Sequence, residues 1–146
     1  MKKEYFSIAE ASARTGLGEH TLRYYDKLGI LPGLGRRSGR RVFTERDIAA
    51  LSLASCLRDT GMPLKSIRDF MQASGPGTAD ARLDILRGHL ASVEEKLESY
   101  RKARLRVEFK IWYYEEAKRR GGVAKLPPLP DLIRQYRKET RKSTNW

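Results

Sequence analysis

Two groups of side chains in this sequence have types and spacings that could do chemistry. The first is His20-Thr21-Leu22-Arg23-Tyr24, followed beyond a Gly/Pro-containing break by Arg36, Arg37, Arg40 and Arg41. Short polar and basic groups early on a helix can reach base edges in the major groove, while clustered guanidinium groups neutralise phosphates and release condensed counterions. So concentrated a positive patch is unfavourable without an anion beside it. The second group centres on the single cysteine, Cys56, in Ser55-Cys56-Leu57-Arg58-Asp59-Thr60-Gly61. A thiol becomes a nucleophile when cations or a helix terminus lower its pKa from about 8.5 and a reagent can reach it, and Arg58 and Lys65 are near it in sequence. Its neighbours Leu51, Leu53, Ala54 and Leu57 suit a small core residue equally well, so both readings stand. His20, His89 and Cys56 are scattered over three elements, which argues against a metal site. No cofactor motif, nucleophile–base pair or paired-acid constellation is visible, and no enzymatic turnover is expected.

These side chains need a scaffold, and the punctuation of the sequence supplies one. Ser7-Ile8-Ala9-Glu10 is a capping box that starts a first helix, which stops at Gly16. Gly18 opens a second helix over Glu19 to Leu28, closed by Gly29. Two short helices with a tight turn between them are the geometry of helix-turn-helix, with Tyr25 spaced to pack inward beside Leu22 and Leu28. Gly33 to Phe43, rich in turn residues and arginine, reads as a two-stranded ribbon, or wing. Thr44-Glu45-Arg46-Asp47 starts a third helix that continues to Thr60-Gly61, and Pro63 opens a fourth that ends near Ala73.

Beyond Ser74-Gly75-Pro76-Gly77-Thr78, which breaks the helical pattern, apolar residues recur at alternating steps of three and four. They are Leu83, Leu86, Leu90, Val93, Leu97, Tyr100, Val107, Ile111 and Tyr114, with Arg104 as a polar interruption. A heptad seam of this length has no second long helix in the chain to bury it, so the simplest partner is another copy. The competing arrangement is a single helix folded back on the N-terminal residues. The expected organisation is a DNA-binding domain over residues 1–74, a dimerisation helix over 79–120 and a basic tail over 121–146. The expected fold class is all-α with a small β wing. In the tail, Pro127-Pro128-Leu129-Pro130 reads as an extended linker and Asp131 to Tyr136 as a short helix.

The 146 residues carry 30 Lys and Arg against 18 Asp and Glu, a formal charge of +12, and 40% hydrophobic residues. That is enough apolar material for one small core and an extended element, and the charge points to a polyanion, nucleic acid first. No apolar run approaches the roughly 20 residues that span a bilayer, so no membrane partner is expected. Met1-Lys2-Lys3-Glu4 leads into mixed polar sequence rather than an export signal, and a lone thiol suits a reducing compartment; the expected location is the cytoplasm.

Taken together, the strings Phe6-Ser7-Ile8-Ala9-Glu10-Ala11-Ser12, Gly16, Thr21-Leu22-Arg23-Tyr24-Tyr25-Asp26-Lys27-Leu28-Gly29-Ile30-Leu31, Arg37 to Phe43 with Asp47, and Gly61-Met62-Pro63-Leu64-Lys65-Ser66-Ile67 resemble the MerR family of bacterial transcription regulators. The resemblance is detailed in the first half of the chain and extends to the long helix in pattern. It departs at Gly18, where the family usually has Ser or Thr, and at Gly39-Arg40-Arg41, where the family usually has Gly-Tyr-Arg. The resemblance implies a winged helix-turn-helix homodimer joined by an antiparallel coiled coil. It also implies binding to a near-palindromic site in double-stranded promoter DNA, distorted so that RNA polymerase engages both promoter elements. It assigns Thr21, Arg23 and Tyr24 to the recognition helix, Arg40 and Arg41 to the wing and Lys65 to a phosphate. Cys56-Leu57-Arg58-Asp59-Thr60-Gly61-Met62-Pro63 and Lys110-Ile111-Trp112-Tyr113-Tyr114-Glu115 look like the subgroup that answers aldehyde, electrophile and nitrosative stress, in which the matching cysteine is the proposed sensor. The alternative effector is a noncovalent aromatic or cationic ligand in a pocket shaped by Phe109, Trp112, Tyr113, Tyr114 and Trp146, although aromatics at that spacing also suit dimer packing. A third class, an architectural DNA binder without effector, would spread evenly along DNA rather than occupy one site.

Overall fold

Phe6 and Phe43 form an isolated antiparallel bridge, each donating its amide to the other's carbonyl at 2.7 and 2.9 Å. Each is followed at once by a capping residue. Ser7 accepts the amide of Glu10 while Glu10 accepts that of Ser7, and Thr44 and Asp47 repeat the exchange. The two helices that begin there are α1 (Ile8–Thr15) and α3 (Glu45–Asp59). In this computed structural model, which describes residues 4–142 and 144, they are followed or separated by α2 (Glu19–Lys27), β1 (Gly35–Arg37), β2 (Arg40–Val42), α4 (Leu64–Gln72), α5 (Thr78–Arg120) and α6 (Leu129–Thr140). A single 3-10 turn, Val123–Lys125, lies between α5 and α6.

The chain divides into two compact units, residues 1–89 and 90–146, with α5 running through both. In the first unit, α1 ends at Gly16, whose φ of 72° is the left-handed cap conformation that costs glycine nothing. The strands pair in the register Gly35↔Val42, Arg36↔Arg41 and Arg37↔Arg40. The two residues between them, Ser38 and Gly39, both have positive φ, the type I′ turn that matches the natural twist of a hairpin. The core is formed by Leu22 and Tyr25 of α2, Ile30, Leu31, Phe43, Leu51, Ala54 and Met62, closed by Ile67, Phe70 and Met71 of α4. Tyr25 is among its most completely buried side chains, as its helical spacing suggested. The first turns of α5 belong to this unit. Ile85 packs on the core, Arg82 donates to the carbonyl of Phe70 and stacks on its ring at 4.8 Å, and His89 Nε2 lies 2.8 Å from Thr60 Oγ1.

The second unit is built around four buried side chains, Phe109 and Trp112 of α5 and Leu132 and Tyr136 of α6. Tyr136 meets Phe109 and Trp112 edge-on at centroid distances of 5.2 and 5.4 Å, a favoured geometry for aromatic quadrupoles. Trp112 Nε1 donates to Glu139 at 2.8 Å, which settles the one polar atom of that indole. The buried Glu116 is held between Arg119 and Arg120 in the last turn of α5, where cations also favour the helix dipole. Phe109 and Trp112 pack against α6 of the same chain, and Trp112 also lines a cleft of about 270 Å³ with Ile111, Glu115, Tyr136 and Thr140. The short helix of the tail is therefore a packed element, anchored by Leu132 and Tyr136 one turn apart. Trp146, another aromatic expected to shape a ligand pocket, lies outside the described residues.

Candidate nucleic-acid interface

α2 buries Leu22 and Tyr25 and thereby turns His20, Arg23 and Tyr24 to solvent, with Thr21 half-buried at the edge. Its first turn is uncapped by any side chain, since Gly18 occupies the N-cap. Arg23 is extended along the helix by an ion pair with Glu19 at 2.7 Å. A pair at this spacing on an exposed face contributes only about 0.3–0.5 kcal/mol, so it orients Arg23 without removing it from use.

The four wing arginines are not equivalent. Arg37 lies over the Tyr5 ring at 3.8 Å, a cation–π contact. Arg36 and Arg41, which are cross-strand partners, both donate to Asp26 Oδ2 of α2, at 3.2 and 2.7 Å. Arg40 is exposed and makes no ion pair among the described residues. Arg23, Arg40 and Arg41 come together with Ser7, Ile8, Ala9 and Gly39 around a cleft of about 440 Å³. That cleft joins the start of α1, the outer face of α2 and the tip of the wing. Lys65 sits elsewhere, on α4, where it pairs with Asp69 at 2.9 Å. Its hydrogen bond, with help from Arg68, holds the Asp69 carboxyl below the usual carboxylate range.

Asp26 and Tyr5 are members of this surface that the sequence did not single out. Asp26 stood in plain sight in Arg23-Tyr24-Tyr25-Asp26, one of two acids on the recognition helix beside Glu19. Its partners lie ten and fifteen positions away and become visible only once the hairpin register is known. Tyr5 precedes the capping box and has no local pattern to mark it.

Cys56 is exposed on α3, between buried Ala54 and Leu57 and on the outer side with Leu53. The core reading of this thiol is thereby corrected. α3 buries Ile48, Leu51, Ala54 and Leu57, and position 56 falls off that stripe. The two cations near it in sequence have other partners, since Arg58 reaches Asp59, Ser55 and the Tyr25 hydroxyl, and Lys65 reaches Asp69. Among the described residues no group of three or more His, Cys, Asp or Glu side chains could hold a metal ion, and no helix is long and apolar enough to cross a membrane.

A capped helix, a tight turn, an exposed basic helix and a cationic hairpin beside it define a winged helix-turn-helix DNA-binding protein. Comparison with known proteins carries this to a family. The MerR HTH family regulatory protein profile matches residues 6–74, and the MerR DNA-binding profile matches residues 48–108. An uncharacterized HTH-type transcriptional regulator of Haemophilus influenzae is 35% identical over 131 residues, covering 86% of this chain and 97% of its own. Among solved structures, HiNmlR, described as a MerR family regulator lacking the sensor domain and bound to promoter DNA, aligns with TM-score 0.62 and 34% identity, over 84% of this chain and 99% of that one. A MerR family regulator from Bacillus thuringiensis aligns with TM-score 0.57 and 32% identity, over 73% of this chain and 96% of its own. The chain belongs to the MerR family and is a DNA-binding transcriptional regulator.

Proposed function

We propose that this regulator works as a homodimer, closed through the seam of α5, that grips both halves of a palindromic promoter site and deforms the duplex between them. The observation that carries the reading is the state of the seam. All nine apolar side chains of the seam, Leu83 through Tyr114, are exposed in the single chain, with Tyr100 the most accessible at 73%. An apolar row of this length on a helix is stable in water only when covered, and heptad spacing suits a second helix of the same kind. In this arrangement His20, Thr21, Arg23 and Tyr24 face the major groove. Arg36, Arg37, Arg40 and Arg41 meet the flanking phosphates, and Lys65 meets one further out. Bending the duplex costs roughly 1–6 kcal/mol, offset by the second set of phosphate contacts. The distorted promoter is then presented to RNA polymerase in the cytoplasm.

Sedimentation equilibrium and footprinting on the same sample test the reading. A dimer that protects one two-fold symmetric site supports it. A monomer, or protection spread evenly along the DNA, contradicts it.

The switch in this reading is covalent modification of Cys56 by an electrophile. Its support is access, since the thiol is exposed, together with the similarity of its surroundings to the electrophile-responsive subgroup. The noncovalent alternative has Phe109 packed under α6, while Trp112 and Tyr114 each line a cleft on the long helix. A Cys56→Ser protein that still changes its grip on DNA when treated with aldehyde would exclude the covalent switch.

A further inference from the structure

The wing by itself is a weak element. Its strands have three residues each, the β1 side chains are all exposed, and four guanidinium groups crowd its two faces. An isolated hairpin of that size is at best marginally stable, and its arginines repel one another. Its base is tied by the Phe6–Phe43 bridge, but that bridge does not fix the angle between wing and α2. One side chain does bridge them. Asp26 Oδ2 accepts from Arg41 Nε at 2.7 Å and from Arg36 Nη2 at 3.2 Å, so one carboxylate spans a cross-strand pair. The Asp26 side chain is 17% exposed and that of Arg41 27%, which spares this pairing much of the screening that weakens an open surface pair.

We infer that Asp26 is the positioning residue of the DNA-binding surface: it locks the Arg36–Arg41 pair of the wing onto the recognition helix, so that both meet DNA as one rigid surface. The inference rests on the reading above that the wing arginines contact phosphate. An arginine has five N–H donors, and Asp26 engages Nε of Arg41 and one terminal nitrogen of Arg36. The remaining donors stay available, and Arg41 also lines the cleft shared with Arg23 and Arg40. Simple electrostatics gives the opposite expectation. An acid beside phosphate repels it, so neutralising Asp26 would strengthen binding if its charge were all that mattered.

The test uses the full chain and a fixed duplex selected by that protein from random sequence, with affinity measured across a range of salt. Asp26→Asn is expected to weaken binding about tenfold and to flatten the salt dependence by roughly two phosphate contacts' worth of slope. Asp26→Glu is expected to restore most of the loss. In an Arg36→Ala/Arg41→Ala background Asp26→Asn is expected to change nothing further. Tighter binding, a steeper slope or an added loss in that background overturns the proposal. So does an Asp26→Asn protein that is unfolded at the assay temperature, because the residue then serves stability alone. Arg40→Ala separates the two levels. If it leaves affinity and slope unchanged, the wing reading itself fails; if it weakens binding while Asp26→Asn does not, only the role of Asp26 fails.

Discussion

The two units of this chain bury their apolar residues in different ways. In residues 1–89, the four helices α1 to α4 and a hairpin close over a common core, and Leu22, Ile30, Phe43, Leu51 and Ile67 are inaccessible. In residues 90–146 the buried apolar set shrinks to Phe109, Trp112, Ala117, Leu132 and Tyr136, while Leu90, Leu97, Val107 and Ile111 on the same long helix remain in solvent. The elements ahead of α5 close a core of their own, while Leu83 and Leu86 at the start of α5 are exposed. The second unit covers the end of α5 that packs on α6 and leaves the apolar row before it in solvent. The contrast fits the proposed arrangement, a closed core beneath the DNA-reading surface and an open seam for a second copy.

The largest effect should come from Leu97→Glu. Placing a charge in the seam of both copies costs roughly 4 kcal/mol per dimer, about a thousandfold in dissociation constant. Sedimentation should show monomers whose first unit melts normally; a dimer that persists would remove the contrast just drawn. Next come matched truncations in the two cores. Leu22→Ala should cost about 3 kcal/mol of the first unit's stability, whereas Leu132→Ala should cost about 2 kcal/mol and release α6 alone, because so small a cluster collapses more readily. Trp112 fluorescence against helix content would separate the two transitions, and a single shared transition would show that the units do not melt independently. Ser7→Ala should cost about 1 kcal/mol through the lost cap, read as a lower melting temperature of the first unit.

The smallest effect concerns pH. Hydrogen bonds from Gln135 and then Trp112 hold the Glu139 carboxyl below its ordinary value. A carboxyl depressed in the folded state adds stability above its unfolded pKa and loses it as pH falls through the folded one. The α6 contact should therefore loosen on acidification below the usual carboxylate range, seen as a shift in Trp112 emission, and Glu139→Gln should remove that titration.

Much of the first unit was legible because its signals are local. Both capping boxes, the Gly16 stop and the proline at the head of α4 are written within four residues of the positions they determine. The inward spacing of Tyr25 beside Leu22 is equally local, contained within one short helix. The orientation of Cys56 was less legible, since Leu51, Ala54 and Leu57 define the buried stripe of α3 whereas Leu53 is apolar and outside it. Asp26 and the α6 contact were not legible at all. They depend on hairpin register and on a pairing between Phe109 and Tyr136 across 27 positions, and no short pattern encodes either.

The Phe6–Phe43 bridge has a practical consequence. Its two reciprocal backbone hydrogen bonds join the segment entering α1 to the segment entering α3, and Arg14 clamps the same two helices through Glu45 at 2.8 Å. Residue 6 is therefore a structural rivet rather than part of a dispensable leader. A truncation or a rigid fusion that reaches it should loosen the wing exit and α3 together, and the amides of Phe6 and Phe43 should be among the slowest outside the helices to exchange with deuterium.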